Sequence, residues 1–290
     1  MADVGAIVAR VRSEEIKPRI GLRILNSKDD VLSGRLSAEL LDLLEQKGVL
    51  VFPRLDLSDD EQIAFTHVLG GNAPEIRGEG VFKVSLDAKQ NPYAAEYLKG
   101  SLYWHIDGTM NPVPIRASML TAKVLSPEGG DTEFANTANA YDDLPAETKA
   151  RIEDLRVVHS LWRSQIYHTP EPTMAQLEDW FARGEAELPL VCQHKSGRKS
   201  LVLGNTAHYV KGMSPMESYR ILHGLRAFAT SEPYVFRHKW AVGDTVIWDN
   251  RTSLHRATPY NPQSGRLMHR TILDGTEAWE NDSHDHNHAL

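Results

Sequence analysis

The chain reads as an α+β protein: one domain on an antiparallel sheet core, with helices concentrated early in the chain and in insertions. Three observations predict this. Short apolar and β-branched runs recur along most of the length, separated by Gly, Pro, Asn and Asp turn residues. Helical spacing of apolar residues is confined to a few segments. No repeat, low-complexity linker or compositional break divides the chain, so residues 1–279 read as a single domain. In residues 280–290, His284, His286 and His288 are interleaved with Asp and Asn, which reads as a disordered, solvated tail.

The elements follow in order. Arg19 to Leu25 is the first strand candidate. Leu40, Leu41, Leu43 and Leu44 form an apolar stripe that predicts a helix over Ser37 to Lys47. Gly48 to Phe52 is a short buried strand ended by Pro53. Ser58 to Glu61 is a capping box that opens a helix to Leu69, and Gly70 and Gly71 stop it. Residues 72 to 100 have weak periodicity, with a strand expected at Val81 to Leu86 and a mobile loop at Asp87 to Pro92. Strands are expected at Ala117 to Val124 and Thr132 to Ala135, and a helix at Pro145 to Leu155 with proline in its first turn. Residues 160 to 190 mix aromatics, polar groups and prolines, and carry a short helix at Thr173 to Arg183. Ser214-Pro215-Met216-Glu217 opens a helix to Thr230. The last third is read as strands at Tyr234 to Trp240, Asp244 to Asp249 and Leu267 to Asp274, with turns at Gly243-Asp244 and Asn261-Pro262.

With 290 residues, 41% of them hydrophobic, the chain can bury a substantial core. A net charge of −7 without any basic run argues against a nucleic-acid partner. Cys192 is the only cysteine, which excludes an intrachain disulfide and suits a reducing compartment. No segment approaches the ~20 apolar residues of a membrane span. The N-terminal MADVGAIVARVRSEE has charges breaking its apolar stretch and no cleavable apolar core. A cytoplasmic protein without a membrane partner is expected; whether it forms a homo-oligomer is left open.

The stretch Ser101 to Met110, SLYWHIDGTM, places His105 and Asp107 two residues apart in what reads as a strand running into a turn. On a strand such residues share a face, so imidazole and carboxylate can meet at one point. Alone, His-X-Asp is a weak signal in a chain with 13 histidines, and an exposed turn with an ion pair explains it as well. Trp240 to Ala257 adds a strand through Val246 and Trp248, a turn at Asp249-Asn250, and His255 on the next short segment. Gly265 to Arg270 carries Arg266 and Arg270, four apart and on one strand face.

His-X-Asp, an interval of 148 residues (255 − 107), a histidine, and an arginine 11 residues on (266 − 255) is far more specific than any part. In this the sequence resembles the Fe(II)/2-oxoglutarate dioxygenases, in particular the group containing taurine dioxygenase and the phenoxyalkanoate (2,4-D) dioxygenases. Gly129-Gly130-Asp131-Thr132 matches that group's GGDT segment, Trp248 to Asn250 with Leu254 to Ala257 its distal-histidine block, and Arg266 to Arg270 its arginine pair. The resemblance runs from about residue 35 to 275.

The resemblance implies a double-stranded β-helix (jelly-roll) core with flanking helices and a variable lid insertion. It makes His105, Asp107 and His255 the ligands of Fe(II), and gives 2-oxoglutarate and O2 as cosubstrates. Thr132 and Arg266 would hold the distal carboxylate of 2-oxoglutarate, and Arg270 would lie near the substrate or the cosubstrate. Beside the resemblance, Gly108 and Asn205 are read as candidates to meet the substrate, with Tyr209 as a further residue of the pocket lining. A 2-His-1-carboxylate face leaves three metal positions open for cosubstrate and O2, and an arginine fork with a hydroxyl suits a buried carboxylate. The carboxylate at Asp107 favours hydroxylation, since the halogenases of this superfamily have a small residue there. Gly108 departs from the taurine enzyme, which has a bulkier residue at that place.

The expected activity is oxidation of a C–H bond in a small anionic organic acid, with release of succinate and CO2. Two rivals remain: the same chemistry on a larger or carrier-bound metabolite admitted by the 160–190 lid, and a catalytically silent jelly-roll binding protein. His159, His168, His194, His208, His223, His238 and His269 are read as exposed or hydrogen-bonded structural residues, Asp244 as a turn residue, and Trp104 and Trp248 as core.

Overall fold

A computed structural model describes residues 10–71, 80–92 and 94–280. The expected disordered tail, apart from Glu280, lies outside them, as do residues 72–79 of the weakly periodic region. The chain opens with β1 (Ser13–Lys17), β2 (Ile20–Ile24), α1 (Lys28–Leu32), α2 (Ser37–Lys47), β3 (Val49–Phe52) and α3 (Asp59–Val68). Next come β4 (Phe82–Val84), a 3-10 turn (Tyr97–Leu102), β5 (Ala117–Val124), β6 (Thr132–Asn136), α4 (Thr137–Asp142) and α5 (Ala146–Ile152). The middle holds β7 (Arg156–Ser160), α6 (Leu161–Ile166), α7 (Met174–Ala182), β8 (Glu185–Pro189), β9 (Val191–Gln193), β10 (Lys199–Leu201) and β11 (Ala207–Val210). The chain closes with α8 (Pro215–Ala229), β12 (Val235–His238), β13 (Thr245–Asp249), β14 (Ser253–Ala257) and β15 (Leu267–Leu273).

Seven strands form the large sheet in the order β1-β2-β3-β13-β5-β15-β4, and β12-β6-β14 form a smaller sheet facing it. Strand alternation decides what each face buries. Val49, Val51, Leu120, Val246, Trp248 and Met268 point inward and meet Phe134 of the small sheet, making the jelly-roll interior. Leu50, Phe52, Met119, Ile247 and Leu273 point outward and are covered by Leu40, Leu44 and Phe65 of α2 and α3. Pairing is antiparallel except between β2 and β3.

The capping boxes at Ser58/Glu61 and Ser214/Glu217 form as the sequence dictates, and a third joins Thr173 to Gln176 at α7. Other expectations change. The helix expected to Leu155 ends at Ile152, and β7 begins at Arg156. The strand expected from Tyr234 starts one residue later, after a 3-10 turn (Glu232–Tyr234). The pairs β9-β10 and β11-β7-β8 pass unseen in the sequence, because strands of three to five residues are too short to display a period. Asp87 to Pro92 forms a turn whose Asp87 carbonyl accepts from the Gln90 and Asn91 amides.

Candidate metal centre

The expected strand through His105 is absent. Tyr97–Leu102 is a 3-10 turn, and His105 alone makes a β-bridge, exchanging both backbone hydrogen bonds with His255 at 3.0 Å. That bridge brings the two imidazoles together, ring centroids 4.0 Å apart and planes tilted by 43°. Asp107 follows in the turn. His105 Nε2 lies 3.7 Å from Asp107 Oδ1, and His255 Nε2 lies 3.7 Å from Asp107 Oδ2. The three side chains can offer ligand atoms all within 4.8 Å of one another. Among the described residues no other group of three His, Cys, Asp or Glu does so.

The surroundings suit a divalent metal. His105 Nδ1 is 2.9 Å from the Tyr103 carbonyl, which can only accept, so Nδ1 carries the proton and Nε2 keeps its lone pair. The His255 ring packs against Trp248, centroids 4.6 Å apart. Burial holds both histidines below the usual imidazole range, hence neutral. Burial alone would raise the Asp107 carboxyl; the Arg270 guanidinium and the hydrogen bond from the Ser118 hydroxyl outweigh it and keep the group ionised. Two neutral imidazoles and one carboxylate are the protonation states a metal requires.

Arg270 is where the sequence was incomplete. Its flanking strand segment offered no obvious acid, yet Arg270 Nη1 lies 3.3 Å from Asp107 Oδ1. Pairing of β15 with β5 brings the arginine across to the His-X-Asp turn, a contact 163 residues distant in sequence (270 − 107). The guanidinium also sits over the Phe82 ring, 5.2 Å from its centroid.

Arg266 differs. It is 3% exposed, donates from Nη2 to the Gly130 carbonyl at 3.0 Å, and stacks on the Tyr260 ring. Its Nε is buried without a partner among the described residues. Gly130 permits the approach: a Cβ there would stand 2.8 Å from that Nε. Thr132 is buried nearby, its Oγ1 accepting from Trp240 Nε1 at 3.0 Å. Because an indole N–H only donates, the threonine keeps its own hydrogen to give elsewhere.

All these groups open onto one cavity of about 760 Å³, lined also by Gly108 and Asn205. Gly108 has φ +63°, and a Cβ would meet Asn111 Nδ2 at 2.8 Å, so the turn itself requires glycine. Asn205 donates to the Gly100 carbonyl at 3.0 Å, which fixes its amide in the cavity wall. Tyr209 is not part of the lining. Of the spare histidines, His159, His194, His238 and His269 are buried and hydrogen-bonded to Thr206, Ser200, Asp244 and Asp59. Asp244 accepts from the Ala241 and Arg54 amides, as a turn residue does. Sequence reasoning missed Ser118 and assigned Asn250 only to a turn; both are fully buried and hydrogen-bonded to each other beneath Asp107. A small polar residue on the inward face of an otherwise apolar strand was the signal available for Ser118.

Residues 12–272 match the taurine catabolism dioxygenase TauD, TfdA family. A curated relative, the (S)-phenoxypropionate/alpha-ketoglutarate-dioxygenase of Sphingobium herbicidovorans, is 37% identical over 244 residues, 80% of this chain and 84% of the relative. The alpha-ketoglutarate-dependent 2,4-dichlorophenoxyacetate dioxygenase of Cupriavidus pinatubonensis is 36% identical over 255 residues, 81% of this chain and 88% of that one. The crystal structure of AAD-2 in complex with Mn(II) and N-oxalylglycine superposes with a TM-score of 0.79 at 32% identity, covering 93% of this chain and 99% of AAD-2. With this fold, and with the His-Asp-His cluster inside the matched span, the chain belongs to the taurine catabolism dioxygenase TauD, TfdA family.

Proposed function

We propose that this protein is an Fe(II)- and 2-oxoglutarate-dependent dioxygenase that hydroxylates a small anionic organic acid. One observation carries the reading. His105, Asp107 and His255 and the buried Arg266, which makes no salt bridge among the described residues, open onto the same cavity. Three ligand atoms with a second, anion-hungry cation are what a metal and a dicarboxylic cosubstrate need together.

In this reading His105, Asp107 and His255 hold the iron. When bound, iron with 2-oxoglutarate and O2 supplies the oxidation of an unactivated C–H bond, with release of succinate and CO2. The remaining work belongs to the chain. Arg266 and Thr132 take the distal carboxylate of 2-oxoglutarate, the arginine by charge and the threonine by its remaining hydrogen. A guanidinium has five donors and can serve Asp107 and a substrate anion together, so Arg270 orients the acid group of the substrate. Gly108 and Asn205 shape the wall beside it. Phe82, Val84, Leu86, Leu98, Met110 and Ile115 line the same cavity and give the substrate's organic body an apolar surface while excluding water. The relatives' named substrates, phenoxypropionate and 2,4-dichlorophenoxyacetate, combine a carboxylate with an apolar ring and support an aryl-bearing acid.

A cavity of about 760 Å³ suits a small molecule, and the net charge of −7 argues against nucleic acid. No helix among the described residues is long and apolar enough to cross a membrane. A single cysteine, Cys192, which can form no intrachain disulfide, supports a cytoplasmic setting. The test is succinate formation with Fe(II), ascorbate and 2-oxoglutarate across aryloxyalkanoic acids and their methyl esters. Acids should stimulate turnover and esters should not. Equal stimulation by both would favour a larger or carrier-bound substrate, and no succinate under any condition would remove the enzyme reading.

A further inference from the structure

Beneath Asp107 runs a line of three fully buried side chains whose hydrogen bonds can point only one way. Trp248 Nε1 donates to Asn250 Oδ1 at 3.0 Å. Asn250 Nδ2 donates to Ser118 Oγ at 3.0 Å. Ser118 Oγ donates to Asp107 Oδ2 at 2.7 Å. An indole N–H cannot accept, so it fixes which end of the Asn250 amide faces it. The amide must then present its NH2 to Ser118. A serine hydroxyl that accepts there has one hydrogen left, and the Asp107 carboxylate is its acceptor. The three residues come from β5, the end of β13 and the turn after it, so the direction is imposed by packing between strands.

We infer that Trp248, Asn250 and Ser118 form a directional hydrogen-bond relay that positions the Asp107 carboxylate for a metal ion, by holding Oδ2 in place while Oδ1 faces Arg270 Nη1 at 3.3 Å and His105 Nε2 at 3.7 Å. Ser118 and Asn250 are therefore positioning residues for the metal site. The inference rests on Asp107 being a metal ligand, as proposed above.

Apparent Kd for Mn(II), measured on the full-length protein by following free Mn(II) with electron paramagnetic resonance, tests it without turnover. Ser118→Ala removes one buried oxygen and should weaken Mn(II) binding by about 10–100-fold, the usual effect of removing an outer partner of a ligand. Asn250→Ala removes the donor to the Ser118 oxygen and lets the hydroxyl rotate while keeping it, so a smaller loss, about three- to tenfold, is expected, and this variant decides the matter should Ser118→Ala not fold. The double variant should bind no more weakly than Ser118→Ala, because one line of bonds can be cut only once. Circular dichroism should show parent-like folding in each.

The relay is overturned if Asp107→Ala abolishes binding while Ser118→Ala and Asn250→Ala stay within about twofold of the parent. It is also overturned if the two losses multiply in the double variant. Retained Mn(II) affinity in Asp107→Ala would instead remove the metal-site reading beneath it, and the two failures are thus told apart.

Discussion

At the scale of single residues, the two arginines of one strand end have different partners. Arg266 is buried against a carbonyl and a tyrosine ring, and Arg270 lies against Asp107. Arg266→Leu should raise the KM for 2-oxoglutarate by about thirtyfold or more, the low end of the roughly 2–5 kcal/mol lost when one partner of a buried charge pair is removed. Thr132→Val removes a single neutral hydrogen bond worth ~1 kcal/mol and should raise the same constant about fivefold. Arg270→Gln should instead raise the KM of the acid substrate and leave that of 2-oxoglutarate near the parent value. Steady-state kinetics with each ligand varied in turn checks all three. A 2-oxoglutarate KM that rises in Arg270→Gln but not in Arg266→Leu would exchange the two roles. Arg266 was legible as a site candidate in its spacing from His255, and Arg270 through the resemblance to the family's arginine pair; the partner of Arg270 was not, because it comes from a turn far away in sequence.

At the scale of elements, the site depends on how short segments are held. The turn after β13 is tied to the C-terminal segment by Arg251, which pairs with Asp249 at 2.7 Å and with Glu277, all three buried. Trp279 extends the tie by donating to the Thr109 carbonyl at 2.9 Å, just beyond Asp107. Arg251→Met leaves two buried carboxylates without their cation and should cost about 3–5 kcal/mol. A urea unfolding midpoint unchanged in this variant would show the cluster to be dispensable. Gly108→Ala forces a side chain into φ +63° and against Asn111 and Ile115. At about 1–2 kcal/mol for the backbone alone it should lower Tm by several degrees, read by calorimetry. Helices α3 and α8 were readable from their capping boxes, since a cap is a local signal. The bridge at His105 was not, since it is defined only by its partner, His255.

At the scale of the whole molecule, buried neutral histidines make the fold sensitive to acid. His159 is fully buried, and burial together with Arg226 pushes its pKa down to about 3. The unfolded chain, with imidazoles near 6.5, takes up a proton that the folded state refuses, so this stability is complete above about pH 6.5 and falls as pH drops towards 3. His105, His168, His194, His208 and His255 shift in the same direction, also through burial. Asp244 and Glu277 have lowered pKa values: burial opposes this, but their hydrogen bonds and charged neighbours prevail, and their contribution goes below about pH 4. Stability from urea unfolding should therefore decline from pH 7 to 5, and His159→Leu should flatten the slope by up to about 1.4 kcal/mol per pH unit. A parent protein with the same midpoint at pH 7 and pH 5 would contradict this.

The sequence by itself determined what is local or carried by composition. Capping boxes, the apolar run that marks Gly48 to Phe52 as a buried strand, and the residue types of the His-Asp-His set with its arginines are all written in short windows. Only the tertiary structure decided how those windows meet. The His105–His255 bridge, the Asp107–Arg270 contact, and the line from Trp248 through Asn250 and Ser118 to Asp107 each join segments far apart in the chain. The physical reason is that hydrogen-bond direction and ion pairing depend on which strands become neighbours, and sheet order is set by the packing of two faces that no single segment encodes.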